Sequence, residues 1–239
     1  MPFKGDIHHN NESDSWQKQC LQRLAHHWHL KSIATASFMA VFFYGYFAIL
    51  HSPMYPVTTM GITLVDDWVP FWPSAFYIYA SLWVYTSLVP ALQPNFSRLV
   101  VYGFGIGLVC LTGLAFFFFF PTAVPYASAD WFNDPALVVL RKFDMTGNAC
   151  PSLHVASAIF TAICLNCQLT SMRCPAWLKV VSWVWCTFIV YSTLAIKQHV
   201  LWDTLAGILL GVIVAFVYQK FEFFIVNKEK QQLSKSLSE

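Results

Sequence analysis

Residues 99–120 read LVVYGFGIGLVCLTGLAFFFFF, an apolar run without a single charge. A helix needs about 20 such residues to cross the hydrocarbon of a bilayer, and this stretch is long enough. Five further stretches qualify: 31–50, 69–92, 153–170, 177–197 and 200–226. The chain of 239 residues is 57% hydrophobic, 18% aromatic and only 11% charged. Ordinary soluble domains run to about 45–50% apolar and 25% charged residues. No soluble fold of this size hides so much apolar surface, and a disordered chain shows the opposite balance. The expected fold is therefore an all-α membrane protein with six transmembrane helices in a single bundle. Its expected parts are a polar tail and interfacial segment over 1–30, a six-helix membrane domain over 31–226, and a C-terminal tail over 227–239.

Two of the six spans are unusual. The stretch 69–92 holds Pro70, Pro73 and Pro90, which predicts an irregular or re-entrant start. The stretch 153–170 carries His154, Asn166 and Gln168 and is the weakest by hydropathy. The His-rich opening of the chain is the wrong pattern for a cleaved signal peptide. Six crossings put both termini on one side. Lys4, Lys18, Arg23, Lys31, Arg98, Arg173, Lys179, Lys220, Lys228, Lys230 and Lys235 then share that side, which the positive-inside rule makes cytoplasmic. Arg141, Lys142 and Lys197 alone fall on the opposite face, in the two loops that also hold the polar motifs. The net charge of +2 gives no reason to expect a nucleic-acid partner.

Other features have bland readings. Seven cysteines is an odd number, and most lie in apolar runs, where thiols act as small buried hydrophobes. The pair Cys164-x-x-Cys167 lacks the second pair that a metal or redox site would need. The clustered His8, His9, His26, His27 and His29 can bind a metal in principle, and a solvated tail explains them equally. Neither a cofactor nor a metal site is expected.

Ionisable groups at the edge of a span are costly, and each is a candidate functional group. The segment NACPSLHVASA, residues 148–158, puts Pro151 and Ser152 where a loop becomes a helix, with His154 in the first turn. Such a terminus offers free N–H groups and a positive dipole end to an anion. The segment YSTLAIKQHVLWDTLAGILLG, residues 191–211, holds His199 and Asp203 four residues apart, on one helical face. A carboxylate there fixes the imidazole tautomer and leaves the other ring nitrogen free to attack or to take a proton. Both clusters lie at the same membrane surface and can meet. Metal binding by the two histidines and Asp203 is the rival use, but no third His or further carboxylate accompanies them.

These motifs resemble the phosphatidic acid phosphatase type 2 superfamily. Cys150-Pro-Ser-Leu-His154, preceded by Asp144 and Asn148, is similar to its second signature. Ser192, His199 and Asp203, at spacings of seven and four, are similar to its third. FWPSAFYIYASLW and FFPTAVP resemble the branch with inositolphosphotransferase-like and sphingolipid head-group transferases. The resemblance spans roughly residues 65–215. It implies six transmembrane helices and metal-independent chemistry, with His199 as the nucleophile that forms a phosphohistidine and Asp203 orienting it. It further implies His154 as the acid that protonates the leaving oxygen, and Ser152 as a phosphate contact.

Two departures bear on the substrate. The family's first signature ends in Arg-Pro after a Lys, whereas FPTAVP is followed here by Tyr126 and Ala127. Its third often has Arg beside the Ser, and Thr193 stands here. A phosphomonoester carries about two charges near neutral pH and a phosphodiester one, so a site poorer in cations fits the diester better. The expected function is cleavage or transfer of a lipid's phospho-head group on the non-cytoplasmic face, with transfer to a hydroxyl-bearing lipid or polyol favoured. The anion would rest on Ser152, Asn148, Arg141, Lys142 and Lys197. The alternatives are a lipid phosphate phosphatase and a non-catalytic lipid-binding or transport relative.

Overall fold

The computed structural model describes residues 15–51, 53–125 and 147–236. Helix α1 (Trp16–Ala25) starts at the Ser15 cap, and α2 (Trp28–His51) follows after one turn. A short strand β1 (Thr58–Thr59) leads to α3 (Leu64–Trp68). A 3-10 turn over Pro73–Ala75 runs into α4 (Phe76–Ala80) and α5 (Leu82–Ala91). Then come α6 (Phe96–Phe119), β2 (Thr122–Ala123), α7 (Leu153–Ser171), α8 (Ala176–Ala195) and α9 (Leu201–Ser236).

Among the described residues, five helices are long and apolar enough to cross a membrane: α2, α6, α7, α8 and α9 as far as Ile225. These match five of the expected spans, and the protein is an integral membrane protein. The stretch 69–92 behaves differently. Trp72 is extended and Pro73 opens the 3-10 turn, since proline suits a helix start and not its interior. The helical path then breaks at Ser81, whose hydroxyl donates to the Ile78 carbonyl (2.6 Å) and accepts from the Trp185 indole (2.8 Å). Such back-bonding bends helices. At the C-terminal end, α9 continues helical through the expected tail as far as residue 236.

The span with the most polar residues is the central one. Half of α7's apolar window is buried inside the protein, against 6% of α2's, and α7 packs on α5, α6, α8 and α9. Its polar groups therefore have protein neighbours: Gln168 Nε2 donates to the Val89 carbonyl (3.2 Å). Phe160, Met172, Tyr85, Val109 and Ile189 fill the core around it. Its closest neighbour is α9, where Gly207 and Gly211 stand one turn apart. A Cβ at Gly207 would lie 2.6 Å from the Ser152 carbonyl, and one at Gly211 2.6 Å from that of Ala156. This small-xxx-small pattern is how membrane helices reach backbone contact.

The loops gather at the two ends. At one, β1 pairs in parallel with β2, and Thr122 bridges to Asn148. The Trp72 N–H donates to the Ala195 carbonyl (2.9 Å) at this end too, and Ser152 N–H to that of Asp203 (3.0 Å). At the other, Lys31 ties Arg23 in α1 to Ala91 at the end of α5, and Arg98 pairs with Glu222 (3.2 Å).

Candidate active site

The site lies at the first of these ends, where α7 and α9 begin. Helix α9 starts after a turn that doubles back on itself: the N–H groups of Gln198 and His199 both donate to the Thr193 carbonyl (3.1 and 3.2 Å). Val200 accepts the first helical bond, from Thr204 N–H (3.1 Å), but its side chain cannot cap. Asp203 supplies a cap instead. One carboxylate oxygen accepts from Val200 N–H (2.9 Å), and the other lies 2.8 Å from His199 Nδ1. A carboxylate held at both oxygens has one orientation, and Asp203 is fully buried. A carboxylate can only accept, so in the neutral ring Nδ1 of His199 carries the proton and Nε2 the lone pair.

His154 sits in the first turn of α7 behind its N-cap Ser152, whose hydroxyl accepts from Val155 N–H (3.3 Å). The imidazole stacks on Tyr79 at 4.1 Å and 17°, with the Tyr79 hydroxyl 3.2 Å from Nδ1. Trp83 closes its edge at 6.0 Å. His154 Nε2 is buried and has no protein partner among the described residues. Leaving such a group unmet costs about 1–3 kcal/mol, so the site holds a polar atom ready for a partner that the folded chain does not supply. The His154 and His199 rings stand 6.4 Å apart, centre to centre. Cys150 adjoins the site as a neutral thiol: burial and then the charge of Asp203 raise its pKa.

The structure thus brings together His199, Asp203, His154 and Ser152. Two other expected contacts, Asn148 and Lys197, have protein partners of their own. The Asn148 amide donates to the Tyr46 hydroxyl. Lys197, at a left-handed φ of 59°, sends its ammonium to the carbonyls of Asp66 (2.7 Å) and Val69 (2.6 Å). Burial lowers its pKa, while Asp66 and Asp67 pull it back up. Arg141, Lys142 and Asp144 fall outside the described residues. Among the described residues, no three His, Cys, Asp or Glu side chains converge at metal-ligand spacing.

A family model described as "PAP2 superfamily" matches residues 100–225, more than half of the chain. The protein belongs to the PAP2 superfamily. Membership implies phosphatase or phosphotransferase chemistry on a lipid phosphate in the membrane. No curated protein and no solved structure matches the chain. Both histidine-bearing motifs lie inside the PAP2 match, and so do Gly207 and Gly211.

Three groups that the site uses were missed by the sequence reasoning. The glycines had a readable signal, a GxxxG in an apolar helix. Asp66 had half of one, because Thr63-x-x-Asp66 is a capping-box spacing that says nothing of a partner across the fold. Tyr79 had none, since a tyrosine in an apolar run gives no sign of which side chain it will meet.

Proposed function

We propose that the protein is a metal-independent membrane enzyme that transfers the phospho-head group of a phospholipid through a phosphohistidine at His199. The observation that carries this reading is the pairing of the two imidazoles. One is fixed by Asp203 with its Nε2 lone pair free, and the other faces it with a buried, unpartnered Nε2.

In the first step His199 Nε2 attacks phosphorus, and the bond from phosphorus to the leaving oxygen breaks. His154 gives that oxygen its proton. In the second step an acceptor hydroxyl attacks the phosphohistidine, His154 takes the hydroxyl proton, and the P–N bond breaks. Asp203 stabilises the positive charge that forms on His199 during both steps. Tyr79 serves the acid: in the imidazolium form Nδ1–H donates to the Tyr79 hydroxyl, and the proton given to the leaving oxygen is the one on Nε2, the atom without a protein partner. The free N–H groups at the α7 start, with Ser152, Asn148, Lys197, Arg141 and Lys142, meet the phosphate charge.

A diester substrate is favoured because Thr193, in the place where the family often has arginine, is buried and donates to the Val190 carbonyl (2.8 Å), adding no charge. We further propose that the stretch 69–92 is a sixth, broken crossing, since it runs from the Ala195 contact at one end to the Lys31 contact at the other. Six crossings and the basic residues around the termini support a cytoplasmic position for both termini and a site on the opposite face. The test is purified protein with a head-group-labelled phospholipid, with and without hydroxyl-bearing lipid or polyol acceptors. Label passing to the acceptor supports transfer, and label released only to water makes the protein a hydrolase.

A further inference from the structure

The turn that carries His199 is held only in part from within, by the Thr193 carbonyl that the Gln198 and His199 N–H groups share and by the Asp203 cap on Val200. Lys197 is in the left-handed region, Val200 cannot cap, and Asp203 is occupied at both oxygens. The remaining ties come from a segment far away in sequence. Asp66, only 2% exposed, accepts from Thr63 N–H (2.7 Å) and the Thr63 hydroxyl (2.8 Å) through Oδ2. That completes the cap of α3 with one oxygen. The other, Oδ1, accepts from Leu201 N–H (2.8 Å), 135 residues on. Leu201 opens α9, so this is one of the orphan donors of a helix start, capped from another part of the chain. The same segment accepts the Lys197 ammonium on the Asp66 and Val69 carbonyls, and Trp72 N–H closes on Ala195. The nucleophile thus lies between tie points at residues 195, 197 and 201.

We propose that Asp66 is a positioning residue for the His199 nucleophile, capping α9 from outside and holding the 196–200 turn in attacking geometry. This rests on the reading of His199 as nucleophile given above. The proposal differs from a role in α3 alone, which needs only the oxygen bonded to Thr63. It also differs from general stabilisation, because the bond to Leu201 acts two residues from His199, and His154 is held separately through Tyr79.

The test compares Asp66→Ala, Asp66→Asn, Leu201→Pro and His199→Ala. Two readouts are used: steady-state turnover per folded protein, and the rate of diethyl pyrocarbonate modification at His199 and His154, read by peptide mass spectrometry. Losing a hydrogen bond to a charged group at a transition-state-critical position corresponds to about ten- to a hundred-fold in rate. Asp66→Ala is expected to lower kcat by that factor with KM changed less than about twofold, and to speed modification of His199 but not of His154. Asp66→Asn, which keeps an acceptor for Leu201, should recover most of the loss. Leu201→Pro removes the N–H while leaving Asp66 in place, at a position where proline suits a helix, and it should reproduce the Asp66→Ala loss even if that variant does not fold. Wild-type kcat and unchanged His199 modification in Leu201→Pro would overturn the proposal, and so would an equal rise at both histidines. If His199→Ala keeps its turnover, the nucleophile reading fails; a dead His199→Ala beside a fully active Leu201→Pro sinks the positioning role alone.

Discussion

At each end of the bundle a lysine ties two segments through their carbonyls. Lys31 joins Arg23 to Ala91, and Lys197 joins the Asp66–Val69 stretch to the turn before α9. Both place a cation where helix carbonyls end, an arrangement favoured by the helix dipole. What differs is the company. Around Lys197 stand two buried carboxylates, Asp66 and Asp203, and beside them the two facing imidazoles. At the Lys31 end no described carboxylate sits on the lysine, and the paired histidines there, His26 and His27, are sequence neighbours at the partly exposed end of α1 rather than groups brought together by the fold. A lysine seated on helix-end carbonyls is therefore a structural device at both ends, and chemistry follows only where fixed carboxylates orient groups with a free nitrogen.

The comparison can be broken most forcefully at the nucleophile. His199→Ala should cost at least about a thousandfold in turnover, whereas Lys31→Met at the far end should leave the rate per folded molecule within about twofold and act on thermal stability in detergent. A large rate loss in Lys31→Met with normal folding would erase the distinction. Asp203→Asn should come next, at about a thousand- to ten-thousand-fold, by analogy with an orienting carboxylate whose loss leaves the wrong tautomer. His154→Ala should lose about a hundred- to ten-thousand-fold on a poor leaving group, and much less on a substrate whose leaving oxygen needs no proton. An equal loss on both substrates would remove the acid role.

The helix contact that joins the two motifs can be tested by glycine substitution. Gly207→Ala puts a Cβ 2.6 Å from the Ser152 carbonyl, and overpacking of this kind costs about 1–3 kcal/mol. Thermal unfolding in detergent should show it together with reduced turnover. Gly103→Ala, with nothing within 4 Å, should be neutral or slightly stabilising by helix propensity. The smallest effect is expected at Tyr79→Phe, which removes one neutral hydrogen bond and keeps the stacked ring. Such a bond is worth about 0.5–1.5 kcal/mol, or about two- to tenfold in rate.

Much of this was legible in the chain because membrane physics leaves few options. A long uncharged run must be helical in lipid, and five helices appear within a few residues of their expected bounds. The His199–Asp203 pair was legible for the same local reason, since residues four apart share a helical face. The break at Ser81 was not, because it depends on the Trp185 indole reaching across from another helix. Asp66 and Tyr79 stayed hidden for that reason as well. They come from one segment, 63–79, which touches the settings of both histidines through contacts that no local pattern encodes. The sequence placed Lys197 among the anion contacts, and its left-handed turn takes the ammonium to the carbonyls of Asp66 and Val69.

The central claim is a covalent phosphohistidine at His199. The direct measurement is rapid alkaline quenching of the protein after mixing with a phosphorus-labelled phospholipid, followed by peptide mass spectrometry. The account predicts an acid-labile phosphate on the peptide bearing His199, formed at least as fast as turnover, absent in His199→Ala, and discharged by the acceptor. Full turnover with no label on His199 at any time would contradict it.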